Sequence, residues 1–142
     1  MKNIKPKVVM SMGVWDLFHI GHLNLLERAK KLGDILIVGV GSDYSVQLEP
    51  RKKLKTYISS EDRLRIVSKN KDVDWAFLYG TYEDLEKSIE MIRPDLYVRG
   101  DDWVKDFPGK RKLDELKIPV KLLSYTKGIS SSSIKNRIEG KK

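Results

Sequence analysis

The sequence has no cysteine and only two histidines, His19 and His22, which narrows the chemistry open to it. Without cysteine there is no disulfide, no thiol nucleophile and no cysteine-ligated zinc. The longest apolar run, residues 35–40, is far shorter than the roughly 20 residues that a membrane-spanning helix needs. No apolar segment follows the basic start of the chain, as a secretory signal requires. We therefore expect a cytoplasmic protein without membrane insertion.

Positive charge exceeds negative charge and is spread along the chain. Lysine and arginine number 28 against 20 acidic residues, so the formal net charge is +8 and the pI is about 9.6. A basic surface attracts nucleic acid, anionic membranes or phosphorylated small molecules. The local clusters at residues 51–55 and 110–112 are typical of a solvated surface. Because no RNA-binding aromatic motif or zinc-finger spacing accompanies them, we expect small-molecule partners and no nucleic acid.

Apolar patterning alternates between short strands and longer helices. Residues 35–40 are continuously apolar and too few for a helix, as expected of a parallel strand buried on both faces. Strands separated by such helices indicate βαβ units, so we predict an α/β fold. Its form is a Rossmann-like, doubly wound sheet of five parallel strands, in a single domain spanning residues 1–142. The basic segment 44–58, which carries Pro50, is predicted to be a loop. Predicted strands cover residues 7–12, 35–40, 75–79, 96–98 and 120–123, and predicted helices 21–32, 61–67, 83–92, 111–117 and 130–138.

Polar residues follow four of the five predicted strands, and in three of these segments a glycine stands beside a polar side chain. Parallel strands place their carboxyl ends at one edge of a sheet, where ligands of such folds bind. We therefore expect the four segments to converge on one cleft. They cover residues 13–22, 41–43, 100–103 and 126–132.

The most specific of these segments is His19-Ile20-Gly21-His22, at the start of a predicted helix. The free N–H groups and partial positive charge of a helix start suit phosphate. Gly21 allows close approach to the backbone, and two imidazoles can donate hydrogen bonds where negative charge builds up in a transition state. The alternatives are one surface and one buried histidine without function, or a zinc site, which the spacing does not favour.

Residues 13–22, Gly-Val-Trp-Asp-Leu-Phe-His-Ile-Gly-His, resemble the GxFDxxHxGH signature of the cytidylyltransferase-like nucleotidyltransferases. A GDDW stretch at residues 100–103 and a GIS-type turn at residues 128–131 extend the resemblance from about residue 7 to residue 138, with the glycerol-3-phosphate cytidylyltransferases as the nearest group. Class I aminoacyl-tRNA synthetases share the HIGH tetrapeptide, but 142 residues leave no room for their further domains. Pantetheine-phosphate and nicotinate-mononucleotide adenylyltransferases share the histidine pair and a serine turn, and are expected to be relatives.

The resemblance implies an enzyme that transfers a nucleoside monophosphate from a nucleoside triphosphate, CTP first, to a small phosphorylated alcohol. Glycerol 3-phosphate would give CDP-glycerol, a precursor of a wall or capsular polymer, and pyrophosphate. The resemblance also implies Mg²⁺ held by the triphosphate, without a protein side-chain ligand, and a homodimer. The alternatives are another acceptor, such as a sugar 1-phosphate, phosphoethanolamine or a polyol phosphate, or a non-catalytic nucleotide- or RNA-binding module.

The resemblance also implies roles for individual residues. Catalysis would fall to His19, His22 and Lys55. The acceptor would be bound by Asp16, Lys53 and Arg63, although a surface arginine is the alternative for Arg63. The nucleotide would be bound by Gly13, Val14, Trp15, Lys53, Asp102, Trp103, Thr126, Gly128, Ile129, Ser130 and Ser131.

Four residues depart from the family pattern. Val14 stands where threonine is usual, Tyr125 and Lys127 replace an arginine and a glutamate of the GIS-type turn, and Lys71 replaces an arginine. Arginine and lysine differ in how they bind phosphate, because only arginine presents a planar pair of donors. These departures leave the reaction class intact and leave the acceptor open.

Overall fold

The computed structural model describes residues 4–48, 55–101 and 106–141. These residues form five strands, all parallel, in one sheet of order β3-β2-β1-β4-β5. The predicted doubly wound parallel sheet is therefore confirmed. The strands are β1 (Val8–Gly13), β2 (Ile35–Gly41), β3 (Trp75–Tyr79), β4 (Leu96–Gly100) and β5 (Val120–Leu123).

Strand order places the change of winding direction between β1 and β4. From β1 the chain builds outward through β2 and β3, then crosses back to pair β4 against β1, with Val9 opposite Leu96. In open parallel sheets the crevice at this switch point is where ligands bind, outside the carboxyl ends of the strands. The ends of β1 and β4 therefore mark the expected site.

Within the described residues, five helices lie between the strands and a sixth follows β5. Side-chain caps begin most of them: Ser59 begins α3, and Thr81 with Asp84 forms a capping box on α4. Pro94 follows the end of α4, as predicted. No helix of the described segments is long and apolar enough to cross a membrane. The helices are α1 (Ile20–Lys30), α2 (Asp43–Gln47), α3 (Ser60–Ser68), α4 (Tyr82–Ile92), α5 (Lys110–Glu115) and α6 (Ser131–Ile138).

The prediction of a loop from residue 44 to residue 58 is wrong at its start, where α2 forms. Ser42 accepts a hydrogen bond from the Ser45 N–H and caps the helix, and Ser45 and Val46 are buried. The sequence does not predict this helix, because it has only five residues, of which two are buried. The charged residues that follow it are typical of a loop.

The sheet is covered on both faces, as its apolar strands predict. One core layer joins alternate residues of β2, including Leu36 and Val38, to Leu26 of α1 and Val67 of α3. The other layer joins β3 and β4 to α4 and α5. Burial of this kind contributes about 25 cal/mol for each Å² of apolar surface removed from water. Both layers fix the strand ends that carry the site.

Candidate active site

The loop from β1 to α1 has an unusual backbone. Trp15 and Leu17 adopt left-handed conformations, with φ of 60° and 50°. Non-glycine residues adopt this region at a cost, and do so where surrounding packing holds them. The Trp15 ring is buried against Gly13, and its Nε1 donates to the Gly39 carbonyl at 3.1 Å. The loop is therefore held in one conformation just before the two histidines.

The two imidazoles stack on each other at the start of α1. Their ring centroids lie 3.8 Å apart with planes at 22°, and Trp15 and Phe18 each contact the His22 ring. The His19 backbone N–H donates to Nδ1 of His22 at 3.3 Å, and the Gly21 N–H donates to Nδ1 of His19 at 3.0 Å. A neutral imidazole whose Nδ1 accepts carries its proton on Nε2. Both rings are thus fixed as Nε2–H donors.

Burial keeps these donors neutral. It lowers the pKa of His19, and burial together with the neighbouring His19 lowers the pKa of His22 to about 3, despite an opposing effect of Asp16. Gly21 is required for this arrangement, since a Cβ there would lie 2.9 Å from the His19 ring. The pair can donate hydrogen bonds without giving up or taking a proton.

Because the chain has only two histidines, the state of His22 can be followed directly. We expect ¹⁵N NMR to show its Nε2-protonated neutral form unchanged as pH falls through 6.5, with titration near pH 3. The native state then binds fewer protons than the unfolded state between these values, so the free energy of unfolding should fall as pH drops below 6.5. A His22 resonance that titrates at its ordinary pKa would contradict this assignment.

The turn between β5 and α6 faces the histidines. Gly128 has a φ of 84°, which favours glycine, and Ser130 caps α6 by accepting from the Ser133 N–H. The Ser131 hydroxyl donates to the Asp16 carbonyl at 2.7 Å, and Asn24 of α1 donates to the Thr126 hydroxyl at 3.0 Å. These bonds join the turn to the histidine loop.

A cavity of about 370 Å³ lies between the histidines and this turn, and we call it the serine cavity. Its volume is within the range of small-molecule sites. It brings the two histidines together with four predicted nucleotide-binding residues of the turn, namely Thr126, Ile129, Ser130 and Ser131, whereas Gly128 is not among its lining residues. Its lining comprises His19, Gly21, His22, Leu25, Arg28, Ser124, Tyr125, Thr126, Ile129, Ser130, Ser131 and Ser132.

Asp16 holds the segment that carries Lys55. The carboxylate is buried and accepts from the Tyr57 and Ile58 N–H groups at 2.9 and 3.0 Å, and Lys135 of α6 pairs with it at 3.0 Å. Burial alone would raise the pKa of Asp16, but these bonds outweigh it and lower the pKa. Lys135 also donates to the Lys55 carbonyl at 2.7 Å. Asp16 is thus engaged with the protein, and its contact with a substrate stays a prediction.

Arg63 is fully buried, so the alternative of a surface arginine is wrong. Its Nη1 donates to the Val14 and Gly41 carbonyls at 2.6 and 2.7 Å, and its Nε donates to the Ile58 carbonyl. Nη2 pairs with Asp43 at 2.6 Å. One guanidinium therefore ties together the segments that follow β1 and β2 and the segment before α3. Its predicted contact with substrate stays a prediction.

A second cavity, of about 300 Å³, opens on the other side of His22, and we call it the tyrosine cavity. It shares His22, Leu25 and Tyr125 with the serine cavity. Gly13, Val14 and Trp15 lie here, at the end of β1. Gly100, which opens the predicted segment 100–103, also lines this cavity. Its other walls come from residues outside the four predicted segments and their motifs, namely Met12, Ser45, Val46, Tyr79, Tyr82, Tyr97, Arg99 and Pro108.

Tyr79, Tyr97 and Arg99 were missed because they lie within strands rather than after them. Tyrosine in a strand of this kind is typical of a core, and only the folded structure shows that these three residues line a cavity. Three predicted site residues, Lys53, Asp102 and Trp103, lie outside the described residues.

Comparisons with known proteins agree with this geometry. The family model described as Cytidylyltransferase-like matches residues 10–137. Glycerol-3-phosphate cytidylyltransferase of Bacillus subtilis (strain 168) is 38% identical over 136 residues, which cover 94% of this chain and 98% of that protein. Bifunctional protein HldE of Blochmanniella pennsylvanica is 36% identical over 99% of this chain. The chain spans only 29% of the length of that protein.

Solved structures extend the comparison. The lipopolysaccharide core biosynthesis protein of Thermoplasma volcanium matches with a TM-score of 0.70 and 31% identity, over 88% of this chain and 100% of that one. Pantothenate synthetase of Thermus thermophilus matches with a TM-score of 0.58 over 93% of this chain and 64% of that one, and at 15% identity it shares the fold alone. With the matched family model and the full-length relative, these findings show that the chain belongs to the cytidylyltransferase-like family.

Proposed function

We propose that the protein transfers a cytidylyl group from CTP to a small phosphorylated alcohol and releases pyrophosphate. The observation that carries this proposal is the stacked pair of neutral Nε2–H donors in the wall of the serine cavity, of which His22 also lines the tyrosine cavity. In our proposal the triphosphate of CTP occupies the serine cavity and the acceptor approaches from the tyrosine cavity. Gly13, Val14 and Trp15, which the resemblance assigns to the nucleotide, then border the acceptor instead. The α-phosphorus then lies beside His19 and His22.

The reaction needs no general base from the protein. The acceptor phosphate is largely a dianion at neutral pH, so its oxygen attacks the α-phosphorus directly. A bond forms between them, the bond from the α-phosphorus to the bridging oxygen of the β-phosphate breaks, and pyrophosphate leaves with that electron pair. The protein positions the two phosphates and stabilises the added negative charge. Neutral imidazole donors suit this task, because no proton has to move.

Mg²⁺ is proposed to enter as part of the nucleotide substrate. Within residues 4–48, 55–101 and 106–141 there is no group of three or more histidine, aspartate or glutamate side chains arranged to hold a metal ion. The serine cavity instead offers donors, from His19, the serine hydroxyls and Arg28, which suit phosphate oxygens. The ion would neutralise charge on the triphosphate.

Glycerol 3-phosphate is the first acceptor to test, because a relative that matches this chain over nearly its full length is named for it. A sugar phosphate is the second candidate. It is favoured by the structural relative named for lipopolysaccharide core biosynthesis, since that core is an oligosaccharide.

A pyrophosphate-release screen tests the proposal. The four nucleoside triphosphates are each combined with glycerol 3-phosphate, glucose 1-phosphate, phosphoethanolamine or no acceptor, with and without Mg²⁺. We expect release with CTP, Mg²⁺ and an acceptor together, and none when the metal is removed by chelation. Release without any acceptor would indicate hydrolysis instead. Absence of release from every pair, with tight and salt-sensitive binding of RNA, would favour a nucleic-acid-binding module.

A further inference from the structure

The tyrosine cavity combines aromatic walls with a cation. Its described lining includes Tyr79, Tyr82, Tyr97 and Tyr125, together with Arg99, but no aspartate or glutamate. The Arg99 guanidinium carbon lies 4.1 Å from the ring centroid of Phe107, which holds the cation in place. Pockets that bind small molecules pair apolar walls with a few polar groups that fix orientation. Arg99 and the four tyrosines are the lining residues that carry polar groups of that kind.

One of these hydroxyls has no partner among the described residues. Tyr97 is fully buried, and its hydroxyl makes no hydrogen bond within that part of the chain. A buried hydroxyl without a partner is destabilising, and such groups are rare in folded proteins. A phenylalanine would fill the same space in the core layer without that cost. A ligand group in the cavity that exchanges a hydrogen bond with the Tyr97 hydroxyl removes the cost when it binds.

The cavity could in principle take either of two kinds of alcohol phosphate. Aromatic walls attract quaternary ammonium groups, as in a choline-type acceptor. The Arg99 guanidinium of the same lining repels a second cation, and the described lining residues include no carboxylate to offset that repulsion. A neutral, hydroxylated acceptor needs no such counter-ion and supplies a partner for Tyr97. The chemistry of the lining therefore favours a polyol.

We propose that the tyrosine cavity selects phosphorylated polyols over phosphorylated amino alcohols, and that the Tyr97 hydroxyl determines this specificity by bonding a free hydroxyl of the acceptor. This assignment rests on the proposed function for the identity of the ligand, but not for the binding itself. Glycerol 3-phosphate and sugar phosphates both carry such a hydroxyl. Phosphocholine and phosphoethanolamine do not.

The test is Tyr97→Phe, which removes one oxygen and keeps the ring. Calorimetry compares the binding of glycerol 3-phosphate and glucose 1-phosphate with that of propyl phosphate, which has no free hydroxyl, and with that of phosphocholine. We expect the wild type to bind the polyol phosphates more tightly than the other probes. In the variant the ratio of these affinities should fall roughly three- to tenfold. The affinity for CTP should not change. Tyr44→Phe is the matched control, because Tyr44 is exposed and lines neither cavity.

Each result decides the proposal. Equal binding of glycerol 3-phosphate and propyl phosphate, no binding of any probe, or an unchanged preference in the variant would overturn it. Tighter binding of phosphocholine would overturn it in favour of an aromatic cage for ammonium. If binding depends on the hydroxyl but no pair of substrates releases pyrophosphate, the cavity assignment stands and the proposed function fails. If pyrophosphate is released and Tyr97→Phe changes nothing, the proposed function stands and the cavity assignment fails.

Discussion

Replacing His22 by alanine is expected to lower turnover by about 10²–10³-fold, the usual effect of removing one donor aimed at developing charge. His22 lines both cavities, and its Nδ1 is bonded to the backbone, so in the proposed mechanism its Nε2–H donates to an oxygen of the reacting phosphate. Loss of an interaction that forms only in the transition state lowers kcat and changes the KM for CTP little. Steady-state pyrophosphate release measures both constants.

His22→Gln is the matched variant, because a glutamine amide can place an N–H donor near the position of Nε2. It should retain more turnover than alanine does. If the His22→Ala variant turned over as fast as the wild type, the imidazole would have no role in the mechanism. A rise in KM without a fall in kcat would give the histidine a role in binding only.

Replacing Arg63 by alanine is expected to lower the free energy of unfolding by about 3–5 kcal/mol. The guanidinium is completely buried and is bonded to three backbone carbonyls and to Asp43. Its removal leaves the Val14, Gly41 and Ile58 carbonyls without these bonds and opens a cavity beneath the site loops. Urea unfolding measures the change, with the dependence of the free energy of unfolding on urea concentration expected to be the same in both proteins.

Arg63→Lys is the informative control. A single ammonium cannot reproduce the planar fork that reaches four acceptors, so lysine should recover only part of the lost stability. Lys69→Ala, at the exposed end of α3, should change stability by less than about 0.5 kcal/mol. A comparably small effect of Arg63→Ala would show that the three segments are held together by other contacts.

The sequence predicts most of this fold because its signals are local. Residues 35–40 form a buried strand as their apolar run indicates, and the GIS-type turn begins α6 at Ser130 as its serine run indicates. Helix α2 was missed because its cap, Ser42, lies before a segment whose charges and Pro50 are typical of a loop. A short helix with two buried residues carries too weak a periodic pattern to overcome that signal.

The site was predictable where its residues form a contiguous motif, and less so where they meet across the sheet. The histidine pair and the serine turn converge on one cavity as expected from parallel strands. Burial of Arg63 depends on carbonyls from three separate segments, and the place of Tyr97 in a cavity wall depends on the register of β4 against β1. Neither follows from spacing along the chain.

In the proposed mechanism, His19 and His22 donate hydrogen bonds from Nε2 to oxygens of the phosphate at which transfer occurs. A crystal structure of the protein with CTP and Mg²⁺ would show these contacts. We expect the α-phosphate oxygens within about 3.2 Å of both Nε2 atoms, with the triphosphate in the serine cavity. A nucleotide bound elsewhere, or imidazole rings turned so that Nδ1 faces the phosphate, would contradict it.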